Sequence, residues 1–244
     1  MASRAALITG GSSGIGLAIA RALGQDDYAV TISARRPDKL EAAAKELREE
    51  GIDVEAMPAN MADEDGIKQV VAAHRDRYGR LDVLINNAGI GIGGAVAEAE
   101  TKKLDLQLDV NLRAVYLLAR EAIPMLKEAG AEHGKALVVN TASIAGKYPA
   151  AWLSAYSATK AAVVALSVSA QAELADTGIQ VTAFCPAFVD TPMTEWVQGQ
   201  VSPDDMIKPE DISEAVRFLL RTSRSCMVPE IQFLRPADRL GSQT

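Results

Sequence analysis

Short apolar runs alternate with longer amphipathic stretches along nearly the whole chain. The runs AALITG (5–10), YAVTISA (28–34), LDVLINNAG (81–89), KALVVNTAS (135–143) and IQVTAFCP (179–186) are mostly continuous rather than alternating, which predicts strands buried on both faces. DVEAMPA (53–59) is a weaker strand, and EIQFL (230–234) is a last apolar run. Helical spacing fills the intervals. GIGLAIARALGQ (14–25) follows the first strand, and PDKLEAAAKELREEG (37–51) the second, with Pro37 at its start and Gly51 at its end. A charged helix follows at 63–78, a helical stretch from 100 to 128, a helix carrying Tyr156 that ends near 175, and PEDISEAVRFLLRT (209–222). Strand–helix alternation without an internal repeat or a Pro/Gly/Ser linker predicts an α/β fold: a doubly wound parallel sheet with helices on both faces, in a single domain spanning 1–244.

Composition narrows the function. Nearly half of the 244 residues are apolar, enough for a sizeable core. Lys and Arg number 25 against 32 Asp and Glu, a net charge of −7 with no basic run, which argues against a nucleic-acid partner. No run approaches a membrane span, and the apolar stretch in MASRAALITGG is too short for a signal peptide, so we expect a cytoplasmic protein. Cys185 and Cys226 lie far apart and read as reduced thiols. His74 and His133 fall in charged segments, where we expect them exposed, and no second ligand at metal spacing stands nearby.

Two segments carry candidate chemistry. TGGSSGIG (9–16) joins the first strand to the first helix, where backbone amides and the helix dipole can receive a pyrophosphate. Glycine and serine also make ordinary turns, and the spacing is not the common GxGxxG; the position between strand and helix is what singles this turn out. After the second strand come Ala34, Arg35 and Arg36, with no acid to hold a ribose 2′-hydroxyl. A guanidinium suits a 2′-phosphate, so NADP(H) is expected in preference to NAD. In NTASIAGKYPAAWLSAYSATKAA (140–162), Tyr156 and Lys160 share a helix face, and Ser143 stands thirteen residues before the tyrosine. An ammonium beside a phenol, whose reference pKa is about 10, stabilises the phenolate and equips it for acid–base work. Tyr148 is a nearby competitor but has no lysine four residues on.

These residues resemble the short-chain dehydrogenase/reductase family in its short, single-domain branch. The likeness rests on TGGSSGIG (9–16), NNAG (86–89), Asn111 in LDVNL, Ser143 and YSATK (156–160), in the family's order and approximate spacing. It implies a Rossmann-type sheet and an oxidoreductase that interconverts a carbonyl and a secondary alcohol. Gly10, Ser12, Ser13, Gly14, Ile15 and Gly16 would then hold the dinucleotide, with Arg35 and Arg36 at the ribose and Asn60 and Met61 near the adenine. Asn87, Ala88 and Gly89 would line the cofactor side of the fourth strand. Pro186, Val189 and Thr191 would sit beside the nicotinamide. Asn111 would hold a water in a proton relay, Ser143 would polarise the carbonyl, Tyr156 would be the general acid/base, and Lys160 would lower its pKa and hold the ribose. Three departures stand out: Ala187 replaces a usual glycine, Asn60 a common aspartate, and the tail VPEIQFLRPADRLGSQT lacks a glycine-rich ending.

A cofactor-sensing regulatory protein on the same fold is the alternative, although such a protein would be expected to lose the tyrosine or the lysine. A sugar-nucleotide epimerase would need a larger substrate portion than the last helix and strand leave. Ile90, Ile92, Trp152, Phe188, Met193 and Trp196 make the expected pocket segments largely apolar, which points to a hydrophobic small-molecule substrate or, equally, to core or subunit packing. The resemblance also implies a homo-oligomer, a tetramer or dimer, pairing the helices that bear Asn111 and Tyr156. The small residues of ATKAAVVALSVSAQAEL fit such a close approach.

Overall fold

An apolar run buried on both faces can satisfy its backbone N–H and C=O groups only by pairing with another strand. The computed structural model, which describes residues 4–238, shows that pairing completed in one sheet. Its strands are β1 (Arg4–Thr9), β2 (Tyr28–Ala34), β3 (Val54–Pro58), β4 (Val83–Asn86), β5 (Ala136–Thr141), β6 (Ile179–Pro186) and β7 (Glu230–Phe233), all parallel, in the order β3-β2-β1-β4-β5-β6-β7. The order reverses between β1 and β4. In open parallel sheets such a switch point opens a crevice at the carboxyl ends of the strands.

Two helical layers cover the sheet. Helices α1 (Gly14–Gln25), α2 (Pro37–Glu49) and α7 (Pro209–Arg221) bury Ile19, Leu23, Leu40, Leu47, Ile212 and Val216 against one face. Against the other lie α3 (Glu64–Tyr78), α5 (Ala114–His133) and α6 (Ser154–Leu174), with Ile67, Val70, Leu118, Leu126 and Leu174 in the core. The stretch read as helical from 100 to 128 is α4 (Thr101–Leu108), a π-helical turn Asp109–Arg113 and then α5, so it continues to His133 and contains a widened turn. Two expected strands are shorter than their apolar runs. β4 ends at Asn86, so Asn87–Gly89 leave the sheet, and β5 ends at Thr141, two residues before Ser143.

Polar ties set the register of α6. Asn86 donates to Asn140 (2.8 Å), Asn140 donates to Ser167 (2.9 Å), and the Ser167 hydroxyl donates to the Val163 carbonyl (2.7 Å). Ser167 lies about two helical turns beyond Lys160, so this chain of amides fixes which residues of α6 face the end of β5.

His74 corrects the sequence expectation: it is fully buried, not exposed, whereas His133 is exposed. His74 takes the i+7 place in an apolar face with Ile67, Val70 and Val71. Its Nδ1 lies 2.8 Å from the Thr31 hydroxyl and its Nε2 2.9 Å from the Arg80 carbonyl. A carbonyl only accepts, so Nε2 carries the proton and Nδ1 accepts from Thr31. Burial, partly offset by the Arg80 carbonyl and Asp82, lowers the pKa of His74 from 6.5 to about 4. Between those values the unfolded chain binds the extra proton, so stability falls as pH drops from 6.5 towards 4. The loss is about 3 kcal/mol for a shift of this size. Urea melts from pH 7.5 to 4 should show this slope in the parent chain and a flatter one in His74→Asn.

Candidate active site

The site lies at the carboxyl ends of β1, β4, β5 and β6, around the switch point. Between β1 and α1 the chain turns through Gly10 (φ +67°) and Gly14 (φ +53°), both in the left-handed region that favours glycine. A Cβ at Gly10 would stand 2.8 Å from Asn87 Nδ2, and one at Gly16 would run into the Gly10 carbonyl. Helix α1 begins at the exposed Ser13 with no side-chain cap and no acid in its first turn, so its leading N–H groups are available to an anion. Ser12 is half-buried, and Ile15 packs against the core beneath. The cradle therefore suits the pyrophosphate of a dinucleotide.

Arg35 and Arg36 follow β2, exposed and, among the described residues, without an ion-pair partner. Asn60 is exposed, and its Oδ1 accepts from the Ala62 N–H (3.2 Å). The Met61 side chain is buried in the core, leaving its backbone as the part that can face a ligand. Val189 is buried beside Ile207, and the Thr191 methyl lies over Gly14, where a Cβ would meet it at 2.8 Å. Ala187 does not adopt a positive φ, so alanine replaces the expected glycine without backbone strain; its N–H donates to the Phe233 carbonyl (2.9 Å).

The chain brings together the four residues expected to do chemistry. Ser143 is buried, caps the short turn Ile144–Gly146 through the Ala145 N–H (3.2 Å), and reaches the Pro186 carbonyl (3.5 Å). Lys160 is buried; its Nζ donates to the Thr141 carbonyl (2.7 Å) and stands 5.8 Å from the centre of the Tyr156 ring. Asn111, on the π turn, is fully buried and clasps Ile90 from both sides, accepting from its N–H (2.8 Å) and donating to its carbonyl (2.9 Å). Gly89 lies between: a Cβ there would sit 3.3 Å from Lys160 Nζ and 3.4 Å from Asn111 Oδ1.

The electrostatics differ from the sequence expectation in one respect. Burial raises the pKa of the Tyr156 phenol, and the neighbour that partly offsets this is the Ser143 hydroxyl rather than Lys160. Lys160 is itself depressed, from 10.5 to about 8, by burial. The cause is common to both: each charged form is disfavoured by burial, and the amine stands over the phenol ring, 5.8 Å from its centre.

Several supporting residues escape a motif reading. The Thr9 hydroxyl accepts from the N–H groups of Asn87 and Ala88, 3.1 Å each, and Asn87 Nδ2 donates to the Thr9 carbonyl (3.2 Å). Gln107 is buried and accepts from the Ile92 N–H (3.1 Å). Its place four residues before Asn111 is a helical spacing that could have flagged it. Thr159 joins Asn111 to α6 by accepting from its Nδ2 (3.1 Å). The apolar side chains of the expected pocket segments are surface rather than core: Trp152 and Trp196 are each 59% exposed and Met193 49%, an exposed apolar rim on those segments. Trp152 has φ +70°; its carbonyl accepts from the Gly94 N–H (2.8 Å), and its ring covers Gly93, where a Cβ would collide with it.

Comparison with known proteins agrees with this geometry. A family model described as short chain dehydrogenase matches residues 4–201. A Streptomyces virginiae protein whose name assigns it as the ketoacyl reductase of the monensin polyketide synthase is 39% identical over 204 residues, 83% of this chain and 77% of that one. A Streptomyces coelicolor protein named for ketoacyl reduction is 38% identical over 97% of this chain and 87% of its own. Among solved structures, an actinorhodin polyketide ketoreductase with NADPH superposes with a TM-score of 0.86 at 33% identity, covering 94% of this chain and 95% of that one. An alcohol dehydrogenase of the archaeon Thermococcus sibiricus, complexed with 5-hydroxy-NADP, gives 0.87 at 30% identity, over 97% and 98% of the two chains.

The buried amine has a cost that can be measured. With its folded pKa near 8 against 10.5, Lys160 binds its proton less readily in the folded chain, which destabilises the fold below pH 8 and relents as pH rises towards 10.5. Lys160→Met removes that penalty and forfeits the bond to Thr141, for a net gain of about 1–2 kcal/mol at pH 7. Thermal melts of the ligand-free protein should therefore show a higher midpoint for the variant, with the difference shrinking by pH 10.

Proposed function

Because the chain belongs to the short-chain dehydrogenase family, we propose that it is an NADP(H)-dependent oxidoreductase interconverting a carbonyl, a ketone or 3-oxoacyl group, and a secondary alcohol. The observation that carries this reading is the buried Lys160 amine, 5.8 Å from the centre of the Tyr156 ring and facing Gly89 beside Asn111, with the glycine cradle between β1 and α1 on the same edge of the sheet. When bound, NADPH supplies the hydride that reduces the carbonyl carbon. Gly10, Ser12, Ser13, Gly14, Ile15 and Gly16 hold its pyrophosphate, Arg35 and Arg36 its 2′-phosphate, and Asn60 with the Met61 backbone its adenine. Asn87, Ala88, Gly89, Pro186, Val189 and Thr191 complete the cofactor wall. One domain carries both cofactor and chemistry.

Tyr156 donates its phenolic proton to the carbonyl oxygen in reduction and recovers a proton from the alcohol in oxidation. Ser143 donates a hydrogen bond to the same oxygen as negative charge gathers there. Lys160 would hold the cofactor ribose, and its positive charge favours the phenolate of Tyr156. Asn111, engaged with Ile90 and Thr159, holds a water that resupplies the proton. The apolar rim of Trp152, Met193 and Trp196 supports a hydrophobic substrate, as do relatives named for ketoacyl reduction.

The reading extends to assembly and place. Leu104 and Leu108, one turn apart on α4, Tyr116 on α5 and Val168 on α6 are exposed. They supply an apolar face through which copies pair into a dimer or tetramer. Among the described residues no helix is long and apolar enough to cross a membrane, which is consistent with work in the cytoplasm.

Steady-state kinetics on a panel of ketones and alcohols test the chemistry. NADPH should exceed NADH in kcat/KM, and Arg35→Asp should erase that preference by about 1–3 kcal/mol, the scale of a charge-assisted hydrogen bond. Tyr156→Phe should lower reduction about 10²–10⁴-fold while leaving cofactor affinity nearly unchanged. Turnover of Tyr156→Phe near the parent rate would remove the assigned acid. Sedimentation velocity at micromolar concentration should give a dimer or tetramer, and a monomer would remove the proposed pairing.

A further inference from the structure

The chain after β7 turns back onto the segment that leaves β6. Arg235 is clamped by Asp238, whose carboxylate accepts from the Arg235 backbone N–H (2.8 Å) and from its Nε (3.0 Å). The Arg235 side chain is only 15% exposed, and its guanidinium carbon lies 5.2 Å from the centre of the Phe188 ring. Phe188 in turn meets Trp196 edge to face, with centroids 6.2 Å apart and planes at 79°. Beneath this stack the backbones are joined, because Ala187 donates to the Phe233 carbonyl (2.9 Å) and Ile207 donates to the Phe188 carbonyl (3.1 Å). The tail, the β6 exit and the rim of the site therefore form one continuous strut.

The rest of the segment from Thr191 to Asp205 is secured at its base. Thr191 and Thr194 cap each other, and Lys208 reaches Asp190 (3.0 Å) and the Pro203 carbonyl (2.7 Å). Trp196 stands beyond those ties, and among the described residues Phe188 is its aromatic partner. A guanidinium paired with a carboxylate keeps its flat face for an aromatic ring, so Arg235 can pin Phe188 without presenting a free charge to an apolar ligand.

We propose that Arg235 is a positioning residue for the carbonyl substrate, acting through Phe188 to hold Trp196 in the rim of the pocket. The proposal rests on the reductase reading for its substrate, but the strut itself can be judged without turnover. Kinetics use the parent chain, Arg235→Ala, Arg235→Lys and Phe188→Leu. Fluorescence uses the same changes in a Trp152→Phe background, where Trp196 is the sole indole. In Arg235→Ala, KM for a bulky ketone should rise about 5–20-fold with kcat within about twofold, the span of a lost cation–aromatic contact. The NADPH dissociation constant should stay unchanged, and acrylamide quenching of Trp196 should about double. Arg235→Lys should restore part of both losses, and Phe188→Leu should reproduce them with the arginine intact. Unchanged KM and unchanged quenching in Arg235→Ala and Phe188→Leu would overturn the proposal. So would a parallel loss of kcat, KM and NADPH affinity, which marks general disruption. If the parent turned over no ketone or alcohol, the reductase reading would fall instead, and the quenching would still decide whether the strut exists.

Discussion

A single hydroxyl organises the switch point. Thr9 ends β1 and accepts from two successive N–H groups just beyond β4, those of Asn87 and Ala88, while its own proton points at the Ile85 carbonyl (3.4 Å). Both donors lie just past the end of the strand; the Asn87 N–H also reaches the Ile85 carbonyl (3.1 Å), whereas for the Ala88 N–H Thr9 is the one acceptor among the described residues. Through this contact the two strands flanking the crevice end at a fixed offset. The glycine turn after one and the Asn87–Gly89 segment after the other can then meet. The candidate site lies along that seam, with α6 held beside it by the Asn86–Asn140–Ser167 ties.

From the seam outward, burial sets the protonation of the candidate site. Tyr156 and Lys160 are both held in surroundings that disfavour their charged forms, and the Thr141 carbonyl is the one direct partner of the amine among the described residues. Asn111 and Gln107 use their amides to shape the 89–94 segment instead of pairing with each other, so the loop next to Tyr156 is fixed by side chains from the α4–α5 stretch. The rim is built differently. Its indoles are exposed and rest on glycine or on another ring, an arrangement that can be altered without disturbing the seam.

The layered sheet was legible because strands buried on both faces must be mostly apolar, and the runs around Ile8, Ile32, Ile85, Val139 and Phe184 are. Ser143, Tyr156 and Lys160 each have an ordinary structural reading alone; what singled them out was their joint occurrence with the glycine turn and Asn111. His74 was not, since its neighbours Arg75, Asp76 and Arg77 are charged and only its spacing from Ile67, Val70 and Val71 betrays the buried face. The shift of Tyr156 was also hidden. Spacing along a helix says that a phenol and an ammonium are neighbours, but not how far both are withdrawn from water. The tail shows the same limit: Arg235 and Phe188 are distant in sequence, and neither carries a signal of the other. The last part of that tail, 239–244, lies outside the described residues.

The widened turn at Asp109–Arg113 bears on how the chain can change over evolutionary time. A π turn carries one residue more than the α-helical ladder needs, so α4 and α5 run out of phase, each additional residue turning the helix by about 100°. Loss of one residue from this span would leave a smooth helix whose hydrogen bonds were all satisfied. The fold would tolerate the event well, yet Asn111 would swing away from Ile90 and Thr159. A length change of one codon could thus produce a well-folded protein with a dismantled loop, a quiet route from an enzyme to a protein that merely binds.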